Sequence, residues 1–430
     1  MRHSPLVDGS LSTMAAASIP SIGDLHDDQI VALLRSGAHA AMLIAYFGEP
    51  EYRELAQLAR LASTRRNPRG RRVFVLPGIM GSRLGLVARR SYSLLWLHPT
   101  AVATGSLAQL ALPGSRALRA VGVMLPGYLK LRLRLEIAGF RPLFCPFDWR
   151  RDVDHLARSF ARLIERSGER KALVVGHSMG GLVARAALAY DKRRIARLIQ
   201  LGAPNDGSFA PLQALRAVYP TVRKIAALDR MHTAEQLARA VYHTLPGIYQ
   251  MLPSAATETE TDLFDPRNWP TDELSPDPQA LARARKVRAR LPAASDRCNV
   301  IVGVGQETIV SAAACERGFR YEYRAEGDGT VPLTRAKWDD AATWFATENH
   351  GALTQNDLVL AAVADILKSG DTRRLRTTAP LAPDVAPRTV TDDELRAIAL
   401  RKVQWETLSL DSRRRILEPV ISPEFLVPNL

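Results

Sequence analysis

Ser178 stands at the centre of Gly176-His177-Ser178-Met179-Gly180, a G-x-S-x-G pattern followed by a further glycine at 181. A serine hydroxyl is a weak nucleophile on its own. It needs a base to take its proton and donors to hold the negative charge that develops on an attacked carbonyl. The flanking residues supply a setting for that chemistry: ALVV upstream reads as a buried strand and GGLVARAALAY downstream as a helix. Small residues on both sides of the serine leave room for a tight strand-turn-helix in which the nucleophile takes a positive backbone angle. Its hydroxyl would then project from a sheet edge beside the amides of a helix N-terminus, with the Met179 amide as one oxyanion donor.

The base and its orienting acid are expected later in the chain, acid first. Of nine histidines, His350 in ENHGAL is the only one beyond residue 243. His3, His26 and His39 fall in an N-terminal extension, and His177, inside the turn, is expected to point elsewhere. Asp328, between Gly327 and Gly329 in GDGTVP, is the favoured acid. Asp339, Asp340 and Glu348 remain rivals, Glu348 being too near His350 in sequence to orient its ring easily. A second oxyanion amide is available from Ile79 in LPGIMGS, directly after the apolar run Val73 to Leu76.

Several elements must position these groups. Apolar spacing between Asp24 and Leu61 predicts two helices broken at Gly48-Glu49-Pro50, with Asp24 and Asp27 placed to cap. An arginine-rich linker follows, then a strand from Val73 to Leu76. Residues 85 to 125 read as irregular, with a greasy cluster around Trp96. LKLRLRLEI, residues 129 to 137, alternates like a strand but also fits one helical face and is read as helix; RPLFCPF after it reads as a strand. A helix capped by Asp152, the strand ALVVG, a helix from Met179 to Tyr190 and the strands ARLIQLG and NVIVGVG then predict an α/β architecture, a parallel sheet covered on both faces. Residues 205 to 297 read as a helical cap inserted between strands, and Leu353 to Leu367 as the closing helix. Beyond the proline-rich TTAPLAPDVAPR, a capping box from Thr391 to Glu394 opens a helical extension. The organisation expected is a helical N-terminal extension and linker (1 to 70), a main domain (71 to 370) and a C-terminal linker and extension (371 to 430).

Composition narrows the classes. With 47% hydrophobic and 24% charged residues, wholesale disorder is excluded. The net charge of +14 rests on 58 basic residues of which only eight are lysine, so it reads either as attraction to an anionic surface such as a membrane or as arginine-rich codon usage. The densest run, Arg60, Arg65, Arg66, Arg69, Arg71 and Arg72, lacks interleaved aromatics and zinc spacing, and no specific nucleic-acid binding is expected. Cys145, Cys298 and Cys315 include no CxxC pair, which argues against a disulfide framework or structural zinc and for a reducing compartment. MRHSPLVDGSLSTMAAASIPS lacks the apolar run of a secretory signal, and no stretch reaches the ~18–20 apolar residues of a membrane span, so a cytoplasmic or non-Sec exported location is expected.

Seven segments in order, PGIMGSRL, FDWR, GHSMGG, LGAPNDGS, YQMLPS, GDGTVP and the pair His350-Gly351, resemble the lecithin:cholesterol acyltransferase-like and lipase branch of the α/β-hydrolases. They span most of residues 73 to 367. The resemblance implies an α/β-hydrolase fold with a mostly parallel central sheet, a triad of Ser178, Asp328 and His350, and Ile79 as oxyanion donor. It also implies a lid around Trp96 (about 85 to 125) and a cap at 205 to 297 shaping an acyl pocket, with Asp148 and Arg150 as buried scaffold. The expected activity is cleavage of acyl or lipid esters through an acyl-enzyme, with no metal or organic cofactor. The alternatives are acyl transfer to an alcohol by the same groups, and a catalytically silent interaction protein.

Overall fold

The computed structural model describes residues 25–89, 91–255, 260–383 and 385–398, with Ser409 and Ser412. Asp24, expected as a helix cap, and most of the C-terminal extension lie outside the described residues. Among the described residues twelve strands follow one another: β1 (Arg72–Leu76), β2 (Ser82–Val87), β3 (Tyr92–Trp96), β4 (Leu118–Val123), β5 (Arg141–Phe144), β6 (Ala172–His177), β7 (Ile195–Leu201), β8 (Cys298–Gly303), β9 (Thr308–Cys315), β10 (Gly318–Arg324), β11 (Ala342–Ala346) and β12 (Arg388–Thr391). Six of them form the central sheet in the order β11-β8-β7-β6-β1-β5, and every neighbouring pair is parallel.

Strand alternation explains the layers. Phe74 and Leu76 of β1 and Val174 of β6 face a core shared with the helices Val153–Arg166 and Met179–Asp191; Val73, Val75, Leu173 and Val175 face the opposite core, which the helix Asp357–Ser369 covers. Both faces are buried, so these strands read as unbroken apolar runs. The helix Leu125–Ile137 is itself buried on two sides: Leu131 and Leu135 pack toward the sheet, while Leu125, Leu129 and Leu133 pack against the N-terminal helices. Burial on two sides accounts for the strand-like alternation of LKLRLRLEI.

The described part of the N-terminal segment forms three helices, Asp27–Ser36, Ala40–Phe47 and Glu49–Thr64, where the spacing predicts two. The additional break lies at Gly37 and His39, both in the left-handed region (φ 74° and 55°). Among the described residues no single helix is long and apolar enough to cross a membrane.

Residues 82 to 123, expected to be irregular from 85 on, contain an antiparallel sheet of order β3-β2-β4. Trp96 is buried there rather than held over a mouth: its ring meets Trp149 edge-on at 5.3 Å and its indole N–H donates to the Met80 carbonyl at 2.9 Å. Arg150, fully buried, pairs with both carboxylate oxygens of Asp148 at 2.8 Å and donates to the carbonyls of Leu110 and Leu118, fastening this segment to the sheet.

Between β7 and β8 the described residues are helical and strand-free, including Ala210–Leu215, Pro220–Leu228, Ala234–Ala240 and Pro278–Arg288. At the end of the proline-rich segment β12 pairs antiparallel with β10, and the short helix Asp392–Ala397 follows directly, opened by the capping box of Thr391 and Glu394. Buried Arg216 joins the two regions, donating to Asp272 at 2.7 Å and to Asp392 at 2.9 Å, while Tyr321 donates to the second oxygen of Asp392 at 2.6 Å.

Candidate active site

The carboxyl ends of β1, β6 and β11, with the loop after β10, meet at one edge of the central sheet. This is the edge where open parallel sheets bind ligands. Strand β6 ends at His177, Ser178 takes φ 52° and ψ −125°, and the helix Met179–Asp191 starts at the next residue. Such a backbone conformation is costly for a residue with a side chain and persists only where the surroundings over-determine it. They do so here through close packing: a Cβ on Gly180 would lie 2.3 Å from the Pro77 carbonyl oxygen, and one on Gly176 would lie 2.7 Å from that of Gly180. The Ser178 amide donates to the Leu201 carbonyl, tying the turn to β7.

Asp328 and His350 are brought together as expected. The His350 Nδ1–H donates to Asp328 Oδ2 at 2.7 Å, and the His350 amide donates to the Asp328 carbonyl at 2.8 Å. The other carboxylate oxygen of Asp328 accepts from the amides of Thr330 (2.9 Å) and Val331 (2.7 Å), so ring and acid are both fixed. Asp328 is 1% exposed and His350 4%. Gly202 packs against the pair: at φ 55°, its Cβ position falls 2.9 Å from Asp328 Oδ2 and 3.1 Å from His350 Nδ1. The rival Glu348 is engaged elsewhere, accepting from the Asn349 amide and from the Asn356 side chain, and neither Asp339 nor Asp340 contacts His350.

Ser178 and His350 line one cleft of about 960 Å³, together with Ile79, Met80, Tyr219 and Tyr242. Among the described residues no hydrogen bond joins Ser178 Oγ to the His350 ring, and the amides of Ile79 and Met179 have no protein acceptor. No Lys, Arg, Asp or Glu side chain lines the cleft among the described residues, and none of the lining residues falls between 82 and 126. The lining is drawn instead from 78 to 81, from 204 to 251 and from 330 to 354, with Gly127, Tyr128, His177 and Ser178.

The sequence set His177 aside as pointing elsewhere; the structure corrects this. Its buried ring lies 4.8 Å from the His350 ring, with Nε2 3.0 Å from the His350 carbonyl oxygen and Nδ1 2.9 Å from the Tyr128 hydroxyl. Burial pulls its pKa down to about 3, the neighbouring His350 adding to the effect. Tyr128 was missed altogether; its hydroxyl accepts the Gly78 amide at 2.7 Å, and burial raises its own pKa. Both contacts are tertiary, joining residues 49 and 50 apart in the chain, and no local pattern signals them.

A six-stranded parallel sheet flanked by helices, with a strained serine between β6 and its helix, defines an α/β-hydrolase fold. A family model described as "alpha/beta hydrolase fold" matches residues 140–253. Among solved structures, the chain is similar to the Tle4-Tli4 complex (13% identity, 70% of this chain and 98% of that one, TM-score 0.44). It is also similar to the mature lipase BlEst2 of Bacillus licheniformis (12%, 70% and 94%, TM-score 0.37) and to a meta-cleavage product hydrolase of Pseudomonas fluorescens (16%, 70% and 92%, TM-score 0.32). Comparison with curated protein sequences finds no match.

Proposed function

We propose that the chain is a serine hydrolase acting on uncharged carboxylic esters, with acyl or lipid esters as the substrate class. His350 Nε2 takes the Ser178 Oγ proton as the oxygen attacks the ester carbonyl, and the amides of Ile79 and Met179 receive the oxyanion. Asp328 holds the ring and balances the imidazolium. Collapse of the tetrahedral adduct breaks the ester C–O bond, and the proton on His350 leaves with the alcohol. Water, deprotonated by the same nitrogen, then attacks the acyl-enzyme and releases the acid, restoring Ser178.

The observation that carries this reading is the Asp328-His350 pair, closed at 2.7 Å, whose His350 shares a cleft with a serine held at φ 52°. Absence of charged side chains from the described lining favours a neutral ester, and Met80, Tyr219, Tyr242, Ile248 and Met251 offer an apolar wall for its acyl part. The order of the seven sequence segments supports placement in the lecithin:cholesterol acyltransferase-like branch, and residues 205 to 297 then act as the cap. A fluorophosphonate probe tests the reading: labelling of the wild type and none of Ser178→Ala is expected, and an unlabelled, folded wild type refutes it. In a graded ester series, free acid rather than acyl transferred to an added alcohol is the expected product.

A further inference from the structure

Four buried groups form a chain of hydrogen bonds whose direction is fixed. The His350 carbonyl can only accept, so the proton of the neutral His177 ring sits on Nε2 and is donated there at 3.0 Å. Nδ1 of the same ring is then an acceptor, and the group facing it at 2.9 Å, the Tyr128 hydroxyl, must give it a proton. With its proton committed, the Tyr128 oxygen receives the Gly78 N–H at 2.7 Å. Tyr128 and His177 are 5% and 7% exposed, so the chain is largely buried at the wall of the cleft that both residues line.

The two ends of this chain are the two parts of the site that must be held apart at the correct distance. Gly78 precedes Ile79, the proposed oxyanion donor, on the loop after β1; His350 carries the proposed base on the loop after β11. His177 is joined covalently to Ser178 between them. Gly78 is packed tightly on the same groups: a Cβ there would lie 3.0 Å from the Ser178 Cβ and 3.3 Å from His177 Nδ1. We infer that Tyr128 and His177 are positioning residues that set the oxyanion loop and the base-bearing loop relative to Ser178 through one proton-ordered chain. They touch neither the attacked carbonyl nor the transferred proton and act through Gly78 and His350.

This inference rests on the ester-hydrolase reading, and phosphonylation kinetics with an alkyl fluorophosphonate separates the two. A wild type that does not react sinks the hydrolase reading; the inference is judged on the ratio of variant to wild type. Tyr128→Phe keeps the ring and loses the hydroxyl, leaving Gly78 N–H without its acceptor. The expected result is a fall of roughly 10- to 100-fold in the maximal phosphonylation rate with little change in the reversible binding step, because the oxyanion donor is displaced while the apolar cleft remains. The peptide amides around Gly78 should exchange with solvent faster than in the wild type, a readout independent of catalysis.

His177→Gln retains a donor near Nε2 and should keep more activity than His177→Leu. Combining Tyr128→Phe with His177→Leu should cost scarcely more than the larger single change, since both break one chain. Folded Tyr128→Phe within twofold of the wild type overturns the inference, as does a double variant whose loss is the product of the single losses. Should Tyr128→Phe not fold, the comparison of His177→Gln with His177→Leu decides, equal rates counting against.

Discussion

His177 makes the stability of this protein depend on acid in a way that one substitution isolates. Its ring is neutral in the folded chain down to about pH 3, whereas in the unfolded chain it titrates at the ordinary value of 6.5. Between those limits the unfolded chain binds a proton that the folded chain does not, so stability is complete above pH 6.5 and is lost progressively as the pH falls. Each pH unit in that window is worth about 1.4 kcal/mol, giving roughly 3 kcal/mol by about pH 4 and close to 5 kcal/mol at the lower limit. Replacing His177 with Gln removes the titration while keeping a polar side chain of similar reach. Urea unfolding of both proteins at closely spaced pH values would give two curves; carboxylates titrate in both and cancel in the difference. The wild-type curve should drop more steeply below pH 6.5, and the difference should grow toward about 3 kcal/mol near pH 4. Parallel curves would mean that the ring accepts a proton in the folded state and that the ordered chain from Gly78 to His350 is wrongly drawn.

Other outcomes follow from close approaches in the structure. Gly202→Ala pushes a methyl to 2.9 Å from Asp328 Oδ2 and 3.1 Å from His350 Nδ1, so phosphonylation of Ser178 should slow by roughly 100-fold in a protein that still unfolds cooperatively. Asp392→Ala leaves buried Arg216 with only Asp272 and should cost roughly 3 kcal/mol in urea unfolding, although Asp392 lies far from Ser178 in the chain. Met80 and Tyr242 line both the cleft and a small apolar recess shared with Trp96, Trp149 and Leu245, so Tyr242→Ala should open the cleft toward it and move the preferred acyl chain to greater length in an ester series; an unchanged profile would dissociate that recess from substrate.

Ser178 and its strand-turn-helix were legible because their constraints are local: small residues must flank a serine at positive φ, and the sequence shows them. Asp328 and His350 were legible from chain order and from the scarcity of histidine in the last third. What could not be read lies in tertiary neighbours. Tyr128 falls just before the ambiguous segment 129 to 137, and only the fold brings its hydroxyl to Gly78 and His177. Strands β2, β3 and β4 were hidden because register shifts at Arg83/Leu84 and Leu84/Gly85 break the alternation by which a strand is recognised. Strand β12 has no apolar signature of its own; it is held at an edge by pairing with β10 and by the ion pairs of Asp392. The additional N-terminal helix boundary arises from backbone angles at Gly37 and His39 that the apolar spacing runs straight through.

The contrast between a chain of net charge +14 and a cleft whose described lining carries no charged side chain separates two properties that are often confounded. Adsorption of the protein to an anionic surface depends on its exterior and should weaken as added electrolyte shortens the Debye length. The proposed turnover of a dissolved neutral ester would sense only the interior of the cleft and should stay level across the same range of ionic strength, so a salt titration can tell surface capture from the proposed catalysis without altering a single residue.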